Sequence, residues 1–255
     1  MKRGWWKGLV VPAVLVIAWE VAIRLSETTS MSLAPPSEVI AALARVLFDG
    51  SILSATRDTL ISAGAGLIIG GVFGLVLGIL FGLVPLIDRL MEVTVEAIRP
   101  IPSVAVLPIA MLVFGFGYRM EIAIVAFSCL WPVMILTRAA MAGIEPRLME
   151  VARALRLTTA QRIAKIVLPS ALPRIMVAIR LSAAMALVVA VTVEIAANPL
   201  GLGYGILVAQ QALQPAVMLA YLIWIGCVGW GLNTLLSLAE KRLFGKAGQV
   251  EAEAT

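Results

Sequence analysis

The chain has 255 residues, of which 61% are hydrophobic and 14% charged, and its mean hydropathy is +1.02. A water-soluble globule cannot hide that much apolar surface, and runs of about 20 apolar residues, the length that crosses a bilayer core, recur along the chain. The runs are continuous rather than alternating, which excludes a strand-built barrel and leaves an all-α polytopic membrane protein.

A net charge of +5 does not indicate nucleic acid here, because the cations gather between the apolar runs. The chain has no histidine, which removes histidine-based triads, zinc sites of the HExxH type and histidine proton relays. Cys129 and Cys227 both lie within apolar runs, where a lone cysteine acts as a small hydrophobe, so neither a disulfide nor a metal site is expected.

In chain order, the first span is expected at 8–25, behind Lys2, Arg3 and Lys7 and with Trp5 and Trp6 at interface depth. A cleaved signal peptide fits this segment less well, since Glu20 interrupts the run and no clear small-residue cleavage site follows. Residues 26–57 are mixed and polar, and Ala34-Pro-Pro-Ser-Glu38 reads as a turn opening a short amphipathic helix. The second span is expected at 58–83, the third at 91–114 and the fourth at 121–136. The fifth is expected at 175–197 and the sixth at 216–238. The chain therefore divides into a tail and first helix (1–25), an outer segment (26–57), a membrane core (58–240) holding a basic loop at 138–173, and a C-terminal tail (241–255). The excess of Lys and Arg in that loop and near both termini puts both termini in the cytoplasm.

Gly66, Gly70, Gly74, Gly78 and Gly82 recur every fourth residue and form a groove on one helix face, which lets a second helix approach closely. Packing within the chain is favoured over a dimer interface. Pro102 and Pro108 interrupt the third span, either as a kink with snorkelling charges or as part of a transport pathway. Glu194 precedes Asn198-Pro-Leu-Gly-Leu-Gly-Tyr-Gly205, read as a glycine-rich turn; Glu194, Gly201, Gly203 and Tyr204 are candidates for an outer gate, against simple interfacial exposure of the carboxylate.

The basic loop has internal order. Residues 145–155 read as a short helix with Pro146 in its first turn, and Thr158-Thr-Ala-Gln161 fits a capping box opening a second helix. Val151, Ala154 and Leu155 share one side of the first helix. Pro169 and Pro173 are expected to break the chain as it re-enters the bilayer.

Glu150-Val-Ala152, followed by Ile166-Val-Leu-Pro169, resembles the EAA loop of ATP-binding-cassette importer permeases. The wider chain is similar to the subgroup moving nitrate, sulfonates and taurine, through Pro35-Pro-Ser-Glu-Val39, Arg99-Pro-Ile-Pro-Ser103, Leu107-Pro108, Phe114-Gly115 and Gly201-Leu-Gly-Tyr204. The resemblance implies a MetI-like fold of six membrane helices in a bacterial inner membrane, pairing as a homodimer. It implies that Glu150, Val151, Ala152, Arg153, Leu155, Arg156, Ile166, Leu168 and Pro169 dock a separate ATPase subunit. A periplasmic or lipid-tethered binding protein would deliver the solute, a small anion such as a sulfonate, taurine or nitrate, with a thiamine-precursor-like heterocycle as runner-up. ATP and Mg would sit on the partner, in keeping with the lack of a G-x-x-x-x-G-K-[ST] phosphate loop in this chain, which binds no cofactor of its own.

One position departs from the pattern. The family has glycine six residues after the EAA glutamate, where a left-handed turn ends the first helix; here that residue is Arg156, read as a tolerated variant. Two other classes fit less well. An ion-driven secondary transporter would need mid-membrane carboxylates, and Glu92, Glu96 and Glu194 lie toward span ends. A membrane enzyme would need a nucleophile with its base or a metal cluster.

Overall fold

The computed structural model describes residues 5–25, 33–144 and 146–244, the side chains of 5–9, 146, 149, 153, 159, 160, 243 and 244 excepted. Among them every regular element is a helix. Helix α1 spans Trp5–Leu25, α2 Pro36–Phe48, α3 Ser51–Leu83, α4 Pro85–Ile98, α5 Leu107–Phe114 and α6 Tyr118–Ala142. Helix α7 spans Pro146–Ala154, α8 Thr159–Arg162, α9 Leu168–Ala196, α10 Gly201–Gln211 and α11 Pro215–Phe244. Four stretches among the described residues are long and apolar enough to cross a membrane: α3, α6, α11, and the run containing α9. The pair α4 and α5 makes a fifth if its bend is counted as one broken span, and α1 coincides with the expected first span.

The bundle is organised around α3, α6 and α9. The end holding residues 143–167 is here the loop end, and the opposite end, where α3 and α6 begin and α9 finishes, the far end. Gly66, Gly70, Gly74, Gly78 and Gly82 all face α6. A Cβ added at Gly74 or Gly78 would fall 2.6 Å from the carbonyl oxygen of Leu130 or Met134, and one at Gly70 would overlap the Ala126 carbonyl. The stripe thus brings two backbones together within the chain, where no side chain could fit between them. The opposite face of α3 (Ile68, Ile69, Val72, Phe73 and Val76) is exposed, as suits a lipid-facing surface.

Behind this contact the core fills in two layers. Toward the far end Ala63, Ile124, Val125, Cys129, Ala186 and Ala190 pack together; toward the loop end Ala140, Met141, Val167, Ala171 and Ile175 do so. Helices α2, α10 and α11 close the far end through Val46, Ile52, Leu202 and Tyr221. Helix α1 attaches to α2 through Glu20, which accepts hydrogen bonds from the Ser37 amide (3.0 Å) and hydroxyl (2.9 Å). Between α2 and α3, Asp49 accepts from the Ser51 amide at 2.8 Å, and hydrogen bonding from Ser51 holds its carboxyl below the usual range.

Several expectations need correction. Helix α3 begins at Ser51, inside the segment assigned to the outer side, because polar Ser51, Ser54 and Thr56 satisfy their hydroxyls on carbonyls of the preceding turns. The third span is two helices bent by 83°, with α4 starting at Pro85. Pro169 and Pro173 do not break the chain. Pro169 lies in the first turn of α9 and Pro173 inside it, and a π-helical turn at Ile163–Val167 precedes them, with the Leu168 amide bonding to Ile163. The wider turn absorbs the clash that the Pro169 ring would make with the carbonyl four residues before it, at Lys165. The stretch read as a glycine-rich turn is, from Gly201 onward, the start of α10.

The stripe makes a sharp prediction. Gly70→Leu should destabilise the chain by about 3 kcal/mol or more, since the obstacle is backbone rather than a yielding side chain. Gly71→Ala, which meets nothing within 4 Å, should be close to neutral. Thermal unfolding in detergent, followed by circular dichroism, checks both.

Candidate functional site

Two regions carry the chemistry, one at each end of the bundle. At the loop end, α7 is followed by a left-handed residue, Arg156, with φ of 50°. The Leu157 amide then reaches back to the Ala152 carbonyl at 3.1 Å, the six-to-one bond of a Schellman turn. The bend therefore stays at the position where glycine was expected, and arginine holds it at a backbone cost of about 1–2 kcal/mol. Thr158 and Gln161 form the reciprocal capping box: the Gln161 amide donates to Thr158 Oγ1 (3.3 Å) and the Thr158 amide to Gln161 Oε1 (3.1 Å). From there α8, the π turn and α9 run on without interruption.

This geometry sorts the loop residues. Ala152 is buried, whereas Glu150, Val151, Ala154, Leu155 and Arg156 are exposed, Val151 at 50% and Leu155 at 64%. Val151 and Leu155 thus form an apolar strip one helical turn apart, exposed and flanked by the charges of Glu150 and Arg156. Ile166 is half-buried and Leu168 and Pro169 are exposed, while the Arg153 side chain lies outside the described residues. At the same end Asp88 pairs with Arg138 at 2.7 Å and fastens the start of α4 to the end of α6.

At the far end the structure gathers a buried polar cluster that sequence reasoning saw only in part. Glu194 is 1% exposed, so interfacial exposure is not its setting. Its Oε2 accepts the Gly203 amide at 2.7 Å, and Thr59 Oγ1 accepts the Leu202 amide at 2.9 Å. Those two amides open α10 and have no partner within their own helix, so side chains from α9 and α3 cap it. Gly201 has φ of +88°, and a Cβ there would collide with the Glu194 carboxyl; at Gly203 one would meet Glu194 Cβ. Nearby, Asn198 Nδ2 donates to Glu121 Oε2, and both residues are 1% exposed. The Tyr118 hydroxyl donates to Asp58 at 2.8 Å, closing the cluster outward.

Thr59, Ser62, Glu121 and Asn198 were missed. Ser62 extends the four-residue repeat of the glycine stripe by one step, which marks the α6-facing side of α3 as the place to look for partners of Glu121. Tyr204 is half-exposed and lines a cavity of about 350 Å³ together with Phe116, Glu194 and Asn198. Pro102 belongs to a different cavity, of about 390 Å³, at the α4–α5 bend, and Pro108 in the first turn of α5 lines neither.

Residues 70–246 match the model of the family described as binding-protein-dependent transport system inner membrane component. The chain is 31% identical to the putative aliphatic sulfonates transport permease protein SsuC of Bacillus subtilis (strain 168), over 95% of this chain and 88% of that protein. It is 26% identical to the taurine transport system permease protein TauC of Escherichia coli (strain K12), over 94% and 89% of the two chains. With the riboflavin transport system permease protein RibX of Chloroflexus aurantiacus (strain ATCC 29366 / DSM 635 / J-10-fl) it shares 30% identity over 95% and 92%. In fold it is similar to an inward-facing structure of the MetNI methionine transporter, at a TM-score of 0.64 and 20% identity, over 75% of this chain and 94% of that one. With its helical bundle, its exposed loop helix and these relatives along nearly its whole length, the chain belongs to the inner-membrane components of binding-protein-dependent transport systems, as a permease subunit of an ATP-binding-cassette importer.

Proposed function

We propose that this permease couples to a separate ATP-hydrolysing subunit through α7 and the turn after it, and that two copies of the chain pair around the translocation pathway. The observation that carries the docking is the outward-facing Val151 and Leu155 on a helix whose other face buries Ala152. ATP and Mg sit on the partner. A binding protein outside the membrane delivers solute at the far end, the loop end and both termini being cytoplasmic, in line with the basic loop. Nucleotide draws the two docked loops together, and the continuous α8–α9 rod carries that motion to the far end, where the capped α10 closes or opens the outer mouth.

The solute is a small oxyanion of the sulfonate or taurine class. The aliphatic sulfonate and taurine permeases among the relatives support this. The riboflavin permease, equally similar in length, supports a second reading in which an organic heterocycle is carried.

Mild-detergent purification of the tagged chain from its native host, followed by mass spectrometry, tests the docking. A stoichiometric ATPase subunit should accompany the wild type and be lost from Val151→Arg/Leu155→Arg. Recovery of the wild-type chain alone, under conditions that preserve other such complexes, would refute the coupling. Arg156→Gly relieves the left-handed strain and should raise thermal stability by about 1 kcal/mol without loss of coupled ATPase activity. A large loss of activity would mean that the Arg156 side chain itself contacts the partner. Glu194→Ala strips the Gly203 amide of its acceptor and should cost about 1–3 kcal/mol of stability, read by the same thermal assay.

A further inference from the structure

We propose that Arg99 forms an anion subsite within the bilayer, at the bend between α4 and α5, and contacts the oxyanion group of the solute in transit; this rests on the permease reading above. The bend of 83° opens a cavity of about 390 Å³, a volume suited to a small organic ligand. Arg99 and Ser103 come from the bend, Ser128 and Trp131 from the middle turns of α6, and Met185 from α9. Ser128 stands ten residues into the 25-residue α6, about 15 Å along its axis, so the cavity lies at membrane depth rather than in a loop.

The charge balance of this cavity is one-sided. Its lining contains a guanidinium and no carboxylate. The arginines Arg24, Arg138 and Arg180 pair with Glu20, Asp88 and Glu240, whereas Arg99 has no ion-pair partner among the described residues. The Trp131 indole N–H is buried without an acceptor, and the Ser103 and Ser128 hydroxyls add two further donors. Arg99 is exposed at the rim of this cavity, and an arginine left without an ion-pair partner beside such donors is complementary to a group with several acceptor oxygens and a negative charge. A sulfonate has that chemistry, and so does a lipid phosphate reaching in from the headgroup layer.

The test places a thiol beside Arg99. In a full-length chain with Cys129→Ala and Cys227→Ala, Ser103→Cys is labelled with 2-sulfonatoethyl methanethiosulfonate and with its trimethylammonium counterpart, each rate normalised to a free thiol. Ile101→Cys replaces Ser103→Cys if that variant does not fold. The sulfonate reagent should be favoured about tenfold, the effect of one nearby charge partly screened by its surroundings. Arg99→Gln should abolish the preference, Arg99→Lys should keep most of it, and excess methanesulfonate should slow labelling only when the cation is present. An unchanged preference in Arg99→Gln would overturn the subsite.

Repeating the measurement in lipid-free micelles and in phosphatidylglycerol nanodiscs separates the two sources. Competition by methanesulfonate in both supports the solute. A preference that vanishes in nanodiscs, where methanesulfonate no longer competes, assigns the site to headgroups and overturns it as a solute subsite. The outcome is independent of ATPase co-purification: loss of the partner with the preference intact removes the transport reading and leaves an anion site. Co-purification with no preference does the reverse.

Discussion

Everything in this bundle depends on how closely α3 and α6 approach. In hydrocarbon, helices gain nothing from excluding water, so association rests on contact between atoms that small residues permit. Five glycines one turn apart put the α3 backbone directly on the α6 backbone, and α9 then completes the three-helix core. The tight axis also fixes the polar groups of the far end, because Thr59 and Ser62 sit on the same helix only about one to two turns above the first glycine of the stripe. The lipid-facing side of α3 can meanwhile stay uniformly apolar.

Proline has two outcomes here, and the difference lies in what supplies the missing hydrogen bonds. At Arg99-Pro-Ile-Pro102 two prolines in three positions leave no helical turn intact; the chain bends and a cavity opens against α6. At Pro169 and Pro173 the prolines stand four apart, near the start of a 29-residue helix; a widened turn accommodates Pro169, and the helix runs on through Pro173. The first arrangement opens a cavity beside α6, and the second preserves a stiff connection from the loop to the far end.

The glycine period and the capping box at Thr158 and Gln161 were legible in the sequence, because each depends on local spacing, whereas the left-handed position at Arg156 was expected only through the resemblance to the EAA loop. The apolar runs likewise marked where the long helices lie, although not where they start. The far-end cluster was not legible. Glu121 and Asn198 are 77 residues apart, as are no two members of any local motif, and Thr59 caps a helix 143 residues downstream. Asn198 to Gly205 looked like a turn because glycine disfavours helix; only capping from other helices makes α10 persist there.

The uninterrupted course of α9 has a mechanical consequence. At a rise of about 1.5 Å per residue its 29 residues form a rod of about 43 Å. A tilt of about 5° around its midpoint displaces each tip by about 2 Å, in opposite directions. At one tip that is a small adjustment for solvent-exposed side chains. At the other it exceeds what a hydrogen bond of 2.7 Å between Glu194 and the Gly203 amide can tolerate. The far-end cap is thus a stop of short travel: α10 either follows α9 as one piece or is released, with little room for a state between.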